Sequence, residues 1–130
     1  MADARAARPR ILIADDEPDL LALMRETLER QGFDVATASD GKEALAAIRQ
    51  APPDIAVLDL IMPGCDGFEL IKRMQDLHYS MSVIIITGQA TCDARDRAMR
   101  DGAVGYLQKP FSAESLLELV DKQEGEQSAS

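Results

Sequence analysis

The sequence predicts an α/β domain: a doubly wound, five-stranded parallel sheet in the strand order 2-1-3-4-5, with five helices around it. Three observations lead there. Short apolar runs such as Ile55-Ala56-Val57-Leu58 carry no polar alternation, which suits strands covered on both faces. Stretches with apolar residues at helical spacing lie between those runs, and strict alternation of the two implies right-handed crossovers and a parallel sheet. Glycine, proline and capping residues punctuate the junctions, as at Pro18, Gly32, Asp40-Gly41, Pro52-Pro53 and Pro110.

Arg10 to Ala14 is the first strand, and it ends in Asp15-Asp16-Glu17-Pro18. Proline fits the first turn of a helix and the acids suit its dipole. A helix therefore follows to about Gln31, with Leu20, Met24 and Leu28 on one face, Leu21 beside them and Gly32 as the stop. Asp34 to Ala38 is the second strand. Ser39-Asp40-Gly41 makes a turn and N-cap for a helix from Lys42 to about Ala51 that buries Leu45 and Ile48. The third strand, Ile55 to Leu58, ends abruptly in Asp59, and Met62-Pro63-Gly64 breaks the chain. A helix from about Asp66 to Leu77 presents Leu70, Met74 and Leu77, with Phe68 and Ile71 adjacent. Ser82 to Ile86 is the fourth strand, rich in β-branched residues and ending at Thr87-Gly88. The fourth helix, Thr91 to Asp101, is the least apolar; Ala94, Ala98 and Met99 offer little area to bury, and Gly102 closes it. Val104 to Gln108 is the fifth strand. Ser112 caps a last helix that packs Leu116, Leu117 and Val120 and ends near Lys122. Residues 1–9 read as a flexible lead-in, 10–122 as the domain, and 123–130 as a flexible tail or linker remnant.

A chain of 130 residues supports one domain with a real core, and without Trp and with 4% aromatic residues that core is aliphatic. The formal net charge of −9 argues against binding of nucleic acid or anionic lipid through this domain. Cys65 and Cys92 match no metal-site or CxxC spacing and read as free thiols of a reducing cytoplasm, with a redox role as the weaker alternative. Arg5, Arg8 and Arg10 open the chain without the apolar core of a signal peptide, and no apolar stretch nears the ~18 residues that span a bilayer. A cytoplasmic protein without membrane contact is expected. The lone His78 falls after the third helix, away from the acids, and reads as a surface residue.

In the 2-1-3-4-5 order, strands one and three are neighbours where the strand order reverses. Their carboxyl ends bring Asp15, Asp16 and Asp59 to one edge, with Thr87 from strand four and Lys109 from strand five. Each residue has a bland account: helix N-terminal acids, a loop cap, a strand end, a solvated charge. The combination at strand ends points to chemistry. Two carboxylate charges at 4 Å repel by about 4 kcal/mol at an effective dielectric near 20, so Lys109 or a hard divalent cation must offset them. Three acids, an amine and a hydroxyl form a phosphoryl-transfer set. The cation neutralises charge, the amine and hydroxyl hold phosphoryl oxygens, and a carboxylate attacks.

Asp15-Asp16-Glu17-Pro18, Leu58-Asp59-Leu60-Ile61-Met62-Pro63-Gly64 with Asp66-Gly67, Ile86-Thr87-Gly88, Asp101-Gly102-Ala103 and Tyr106-Leu107-Gln108-Lys109-Pro110-Phe111 together resemble the response-regulator receiver domain of two-component signal transduction, a flavodoxin-like fold. The resemblance runs over about residues 10 to 121. It implies that Asp59 is the phospho-acceptor, taking its group from a phosphohistidine on a sensor histidine kinase or histidine phosphotransfer protein. It implies a Mg²⁺ site, with Mn²⁺ as a substitute, formed by Asp16, Asp59 and the backbone carbonyl of Ile61, with Asp15 acting through water. Lys109 would pair with the acceptor and then with the phosphoryl group, Thr87 would move to bond a phosphoryl oxygen, and Tyr106 would turn inward behind it. Lys109-Pro110 would be a cis bond. The fourth helix, fifth strand and last helix would present the signal to a downstream output domain or protein, a phosphorylation-dependent homodimer being one form. Ile61 and Gln89 occupy positions that tune hydrolysis in the family; Ile61 cannot orient a water, whereas Gln89 can.

On this reading the chain is no enzyme in the usual sense, catalysing only its own phosphorylation and dephosphorylation. An aspartyl-phosphate phosphohydrolase is the enzymatic alternative, but Ile61 stands where its second acid would be needed. A flavodoxin-like electron carrier would need a phosphate-cradling first loop, and Asp15-Asp16-Glu17 repels phosphate. A receiver-like interaction module that is never phosphorylated is the third alternative, against which the intact Asp59, Thr87 and Lys109 set argues. The sequence leaves open a single-domain regulator or the receiver of a longer protein.

Overall fold

The computed structural model describes residues 9–62, 65–77, 81–88 and 92–129. In chain order, β1 (Arg10–Ala14) leads through α1 (Pro18–Arg30) to β2 (Asp34–Ala38), and α2 (Gly41–Gln50) leads to β3 (Ile55–Asp59). A short pair follows, β4 (Ile61–Met62) and β5 (Cys65–Asp66), then α3 (Gly67–Asp76) and β6 (Ser82–Thr87). The chain closes with α4 (Cys92–Arg100), β7 (Ala103–Gln108) and α5 (Ala113–Ala129). The main sheet has the order β2-β1-β3-β6-β7, and all its pairs are parallel. In terms of its own five strands this is the expected 2-1-3-4-5 arrangement of the flavodoxin-like fold.

The unalternating runs are buried along their whole length, and their side chains divide by the period of two. Leu12, Ala14, Ala56, Leu58 and Ile85 face α2 and α3, meeting Ala44, Ile48, Leu70, Ile71 and Met74, with Ala98 of α4 in the same cluster. Ile11, Ile13, Ile55, Val57, Ile84 and Ile86 face the other way, toward Met24 and Leu28 of α1 and Leu116 and Val120 of α5. Aliphatic residues supply almost all of both layers, as the scarcity of aromatics requires.

The punctuation acts as expected. Asp40 caps α2, its Oδ1 accepting from the Glu43 N–H at 2.7 Å, and Ser112 Oγ accepts from the Ser115 N–H at 3.1 Å to cap α5. Gly32 (φ 89°) and Gly102 (φ 108°) take the left-handed conformation just past α1 and α4.

Three local expectations are corrected. The break expected at Met62-Pro63-Gly64 is flanked by a two-stranded antiparallel pair in which Ile61 pairs with Asp66 and Met62 with Cys65, so Asp66 belongs to β5 and the helix starts at Gly67. Leu77, placed on the buried face of the third helix, lies beyond the end of α3 and is 42% exposed, because the helix stops before that residue turns to the core. The last helix runs to Ala129 and not to about Lys122. Gln123 is buried, and Glu124, Glu126 and Gln127 are good helix formers. Interior Gly125 costs only about 1 kcal/mol, too little to end a helix. Pro63, Gly64, His78, Gln89 and Thr91 lie outside the described residues. Among the described residues no helix is long and apolar enough to cross a membrane.

Candidate functional site

The site grows from the carboxyl ends of β1 and β3, the two strands at which the sheet order reverses. Past the end of β1, the Asp15 N–H still donates to the Ala38 carbonyl of β2 at 3.1 Å, which pins Asp15 at the sheet edge and buries it fully. Asp16 is exposed beside it. Glu17 is the N-cap residue of α1, and its N–H donates to Asp15 Oδ1 at 2.8 Å. Pro18 then starts the helix at a position where a missing N–H costs nothing.

Asp59 ends β3 and is 4% exposed. Its backbone lies opposite Ile86, and the next N–H, of Leu60, donates to the Ile86 carbonyl at 3.2 Å, so β6 fixes the acceptor strand up to its tip. Asp15, Asp16 and Asp59 each offer a carboxylate oxygen, and these oxygens lie within 4.8 Å of one another.

Lys109 balances this charge. Its N–H donates to the Thr87 carbonyl at 2.7 Å, which aligns the end of β7 with the end of β6. From there the side chain crosses the sheet edge. Its ammonium lies 2.9 Å from Asp15 Oδ2, 2.8 Å from Glu17 Oε1 and 3.0 Å from Asp59 Oδ2. Burial of the amine works against its charge, but its contacts with Glu17, Asp15 and Asp59, with the added field of Asp59, outweigh it and raise the Lys109 pKa above its ordinary value. The Lys109-Pro110 peptide is cis.

One atom in this cluster retains unused capacity. Asp15 Oδ2 is buried and sits in ion-pair contact with Lys109, yet no directed hydrogen bond reaches it. An oxygen with free lone-pair capacity beside two more carboxylates is suited to a hard cation with oxygen ligands, which needs only one or two carboxylates. The donor set therefore fits a divalent metal.

Thr87 ends β6 and is fully buried, with Gln108 beside it in the register. Tyr106 lies further inside β7, opposite Ile85, and is half-buried against the α2–α3 layer. Burial raises its pKa, with the charge of Arg95 opposing. Ile61 belongs to β4, which puts its backbone two residues beyond Asp59 on the same edge. The structure thus gathers Asp15, Asp16, Asp59 and Lys109 into one cluster, sets Thr87 beside Lys109 through the backbone, and keeps Tyr106 behind the edge. Glu17 is the member that sequence reasoning passed over as a helix-terminal acid. The third acid of the Asp15-Asp16-Glu17 run was its only signal.

Comparison with known proteins shows the family. The family model described as "Response regulator receiver domain" matches residues 11–121. Response regulator GtcR of Aneurinibacillus migulanus is 40% identical over 102 residues, covering 78% of this chain and 42% of that protein. The C4-dicarboxylate transport transcriptional regulatory protein DctD of Pseudomonas aeruginosa is 37% identical over 114 residues, covering 88% of this chain and 25% of that protein. The chain thus spans less than half the length of either relative. A CheY-like response regulator receiver domain from Methanospirillum hungatei superposes with a TM-score of 0.88 at 31% identity, covering 94% of this chain and 98% of that one. With its fold matched and the family model running over residues 11–121, the chain belongs to the response regulator receiver domains.

Proposed function

We propose that Asp59 accepts a phosphoryl group from a phosphohistidine on a sensor kinase or phosphotransfer protein, and that the acyl phosphate switches the face formed by α4, β7 and α5. The observation that supports this most is the buried Asp59 carboxylate, with the Lys109 ammonium 3.0 Å from its Oδ2 and two further acids at hand. In the transfer, an Asp59 oxygen attacks phosphorus and a P–O bond forms. The P–N bond to the imidazole breaks, and its electron pair stays on the ring nitrogen.

Asp16, Asp59 and the Ile61 backbone carbonyl would hold Mg²⁺ or Mn²⁺, with Asp15 acting through water. A bound divalent cation would supply charge neutralisation for the carboxylates and the phosphoryl oxygens. Lys109 exchanges a carboxylate partner for a phosphoryl oxygen, Thr87 donates its hydroxyl to another, and Tyr106 turns inward behind Thr87. The product adds roughly −1.5 to −2 charges, a large perturbation next to groups able to respond.

The reader of this state is a downstream output domain or protein. Relatives named as transcriptional regulators, much longer than this chain, support that reading, while the net charge of −9 argues against this domain touching DNA itself. A homodimer through the switched face is one form the output can take, and the cytoplasm is where a phosphohistidine donor would be met. No observation favours the phosphohydrolase reading. The test is incubation with acetyl phosphate and Mg²⁺, followed by intact-mass spectrometry. The wild type gains one phosphoryl group and Asp59→Asn gains none; equal labelling of both sinks the assignment of Asp59.

A further inference from the structure

Lys109 carries three ammonium protons and meets three carboxylates, at 2.8 Å (Glu17), 2.9 Å (Asp15) and 3.0 Å (Asp59). The three are not equivalent. The side chains of Asp15 and Asp59 are 0% and 6% exposed and belong to the acid cluster, whereas Glu17 is 60% exposed and stands outside that cluster at the rim. A cation that enters among Asp15, Asp16 and Asp59 competes with the ammonium for two of its partners. Glu17 is the partner that the ammonium can keep.

We propose that Glu17 is a positioning residue: it draws the Lys109 ammonium toward the rim and thereby leaves Asp15, Asp16 and Asp59 open to a divalent cation. The inference rests on the metal-dependent reading above. Glu17 touches the site twice, through its carboxylate to Lys109 and through its N–H to Asp15 Oδ1 at 2.8 Å. Only the first contact belongs to the side chain, so Glu17→Gln removes the charge and keeps the backbone bond. Its loss acts in two ways of the same sign. The ammonium settles wholly between Asp15 and Asp59, where it competes with the cation, and the local negative potential falls. The second effect does not need Lys109, and the first does.

A double-mutant cycle separates them. Mg²⁺ binding to the full chain is measured by titration calorimetry for the wild type, Glu17→Gln, Lys109→Met and the double variant. Glu17→Gln is expected to weaken Mg²⁺ binding about fivefold in the wild type and less than about twofold in the Lys109→Met background. Lys109→Gln repeats the cycle should Lys109→Met fail to fold. An unchanged affinity in Glu17→Gln, or an equal loss in both backgrounds, would overturn the positioning role while leaving the metal reading intact. Absence of Mg²⁺ uptake by the wild type would overturn both.

Discussion

The sheet edge around Asp59 and helix α4 are held in opposite ways. At the edge, Asp15, Asp59 and Thr87 are buried polar groups at the ends of strands whose apolar residues are buried throughout, and Lys109 ties β7 to β1 and β3 across the sheet. Along α4 the only buried side chain among those described is Ala98, with Ala94 partly covered and Met99 44% exposed. Two ties run to α3: Arg97 lies over the Phe68 ring at 4.0 Å, and the Gln75 side-chain amide donates to the Asp101 carbonyl just beyond the helix. A cation–π contact of this exposed kind contributes about 0.5–1 kcal/mol. The region that would receive new charge is therefore rigid, and the region that would respond is weakly anchored. That asymmetry suits a switch, because local opening draws on elements with few buried apolar contacts.

Truncations test the asymmetry with the largest effect. Leu58→Ala, at a fully buried position of β3, is expected to cost about 2–5 kcal/mol in urea unfolding, and Met99→Ala on α4 less than about 0.5 kcal/mol. Comparable losses would show that α4 is anchored as firmly as the sheet. The next effect comes from the metal. Mg²⁺ at a hundredfold excess over its dissociation constant should stabilise the fold by about 2.7 kcal/mol, seen as a rise in the thermal midpoint, and Asp16→Asn should abolish most of that rise.

The smallest effect sharpens the role of Lys109. Its folded-state pKa is raised, so the folded protein retains the proton longer than the unfolded chain does. The associated stability is fully present below lysine's ordinary value of 10.5 and is lost as pH climbs above it toward the folded-state value. Alkaline unfolding above that pH should therefore be steeper in the wild type than in Lys109→Met. Parallel curves would mean that the three carboxylate contacts do not hold the ammonium.

The sheet was legible because runs such as Ile55 to Leu58 and Val83 to Ile86 admit no half-exposed placement, and because their order alone brings Asp15 and Asp59 to one edge. The thinness of α4 was legible for the same reason in reverse: Ala94, Ala98 and Met99 cannot cover much surface. What escaped depends on reach and local pairing. Glu17 meets Lys109 only because a long side chain crosses from the edge strand β7 to the start of α1, a distance that strand order does not measure. The β4–β5 pair is two residues long on each side, too short to show a period. The end of α5 was misplaced because residues 123–130 read as a polar tail, although Glu124, Glu126 and Gln127 are good helix formers.

Chemistry at Asp59 should be felt in α4 and β7. Amide hydrogen exchange, measured with Mg²⁺ and with or without acetyl phosphate, tests it most directly. The expected result is altered exchange concentrated in Cys92–Arg100 and Ala103–Gln108, little change in β1 and β3, and no change anywhere in Asp59→Asn. Phosphorylated wild type with unaltered exchange in α4 and β7, or the same alteration in Asp59→Asn, would contradict it.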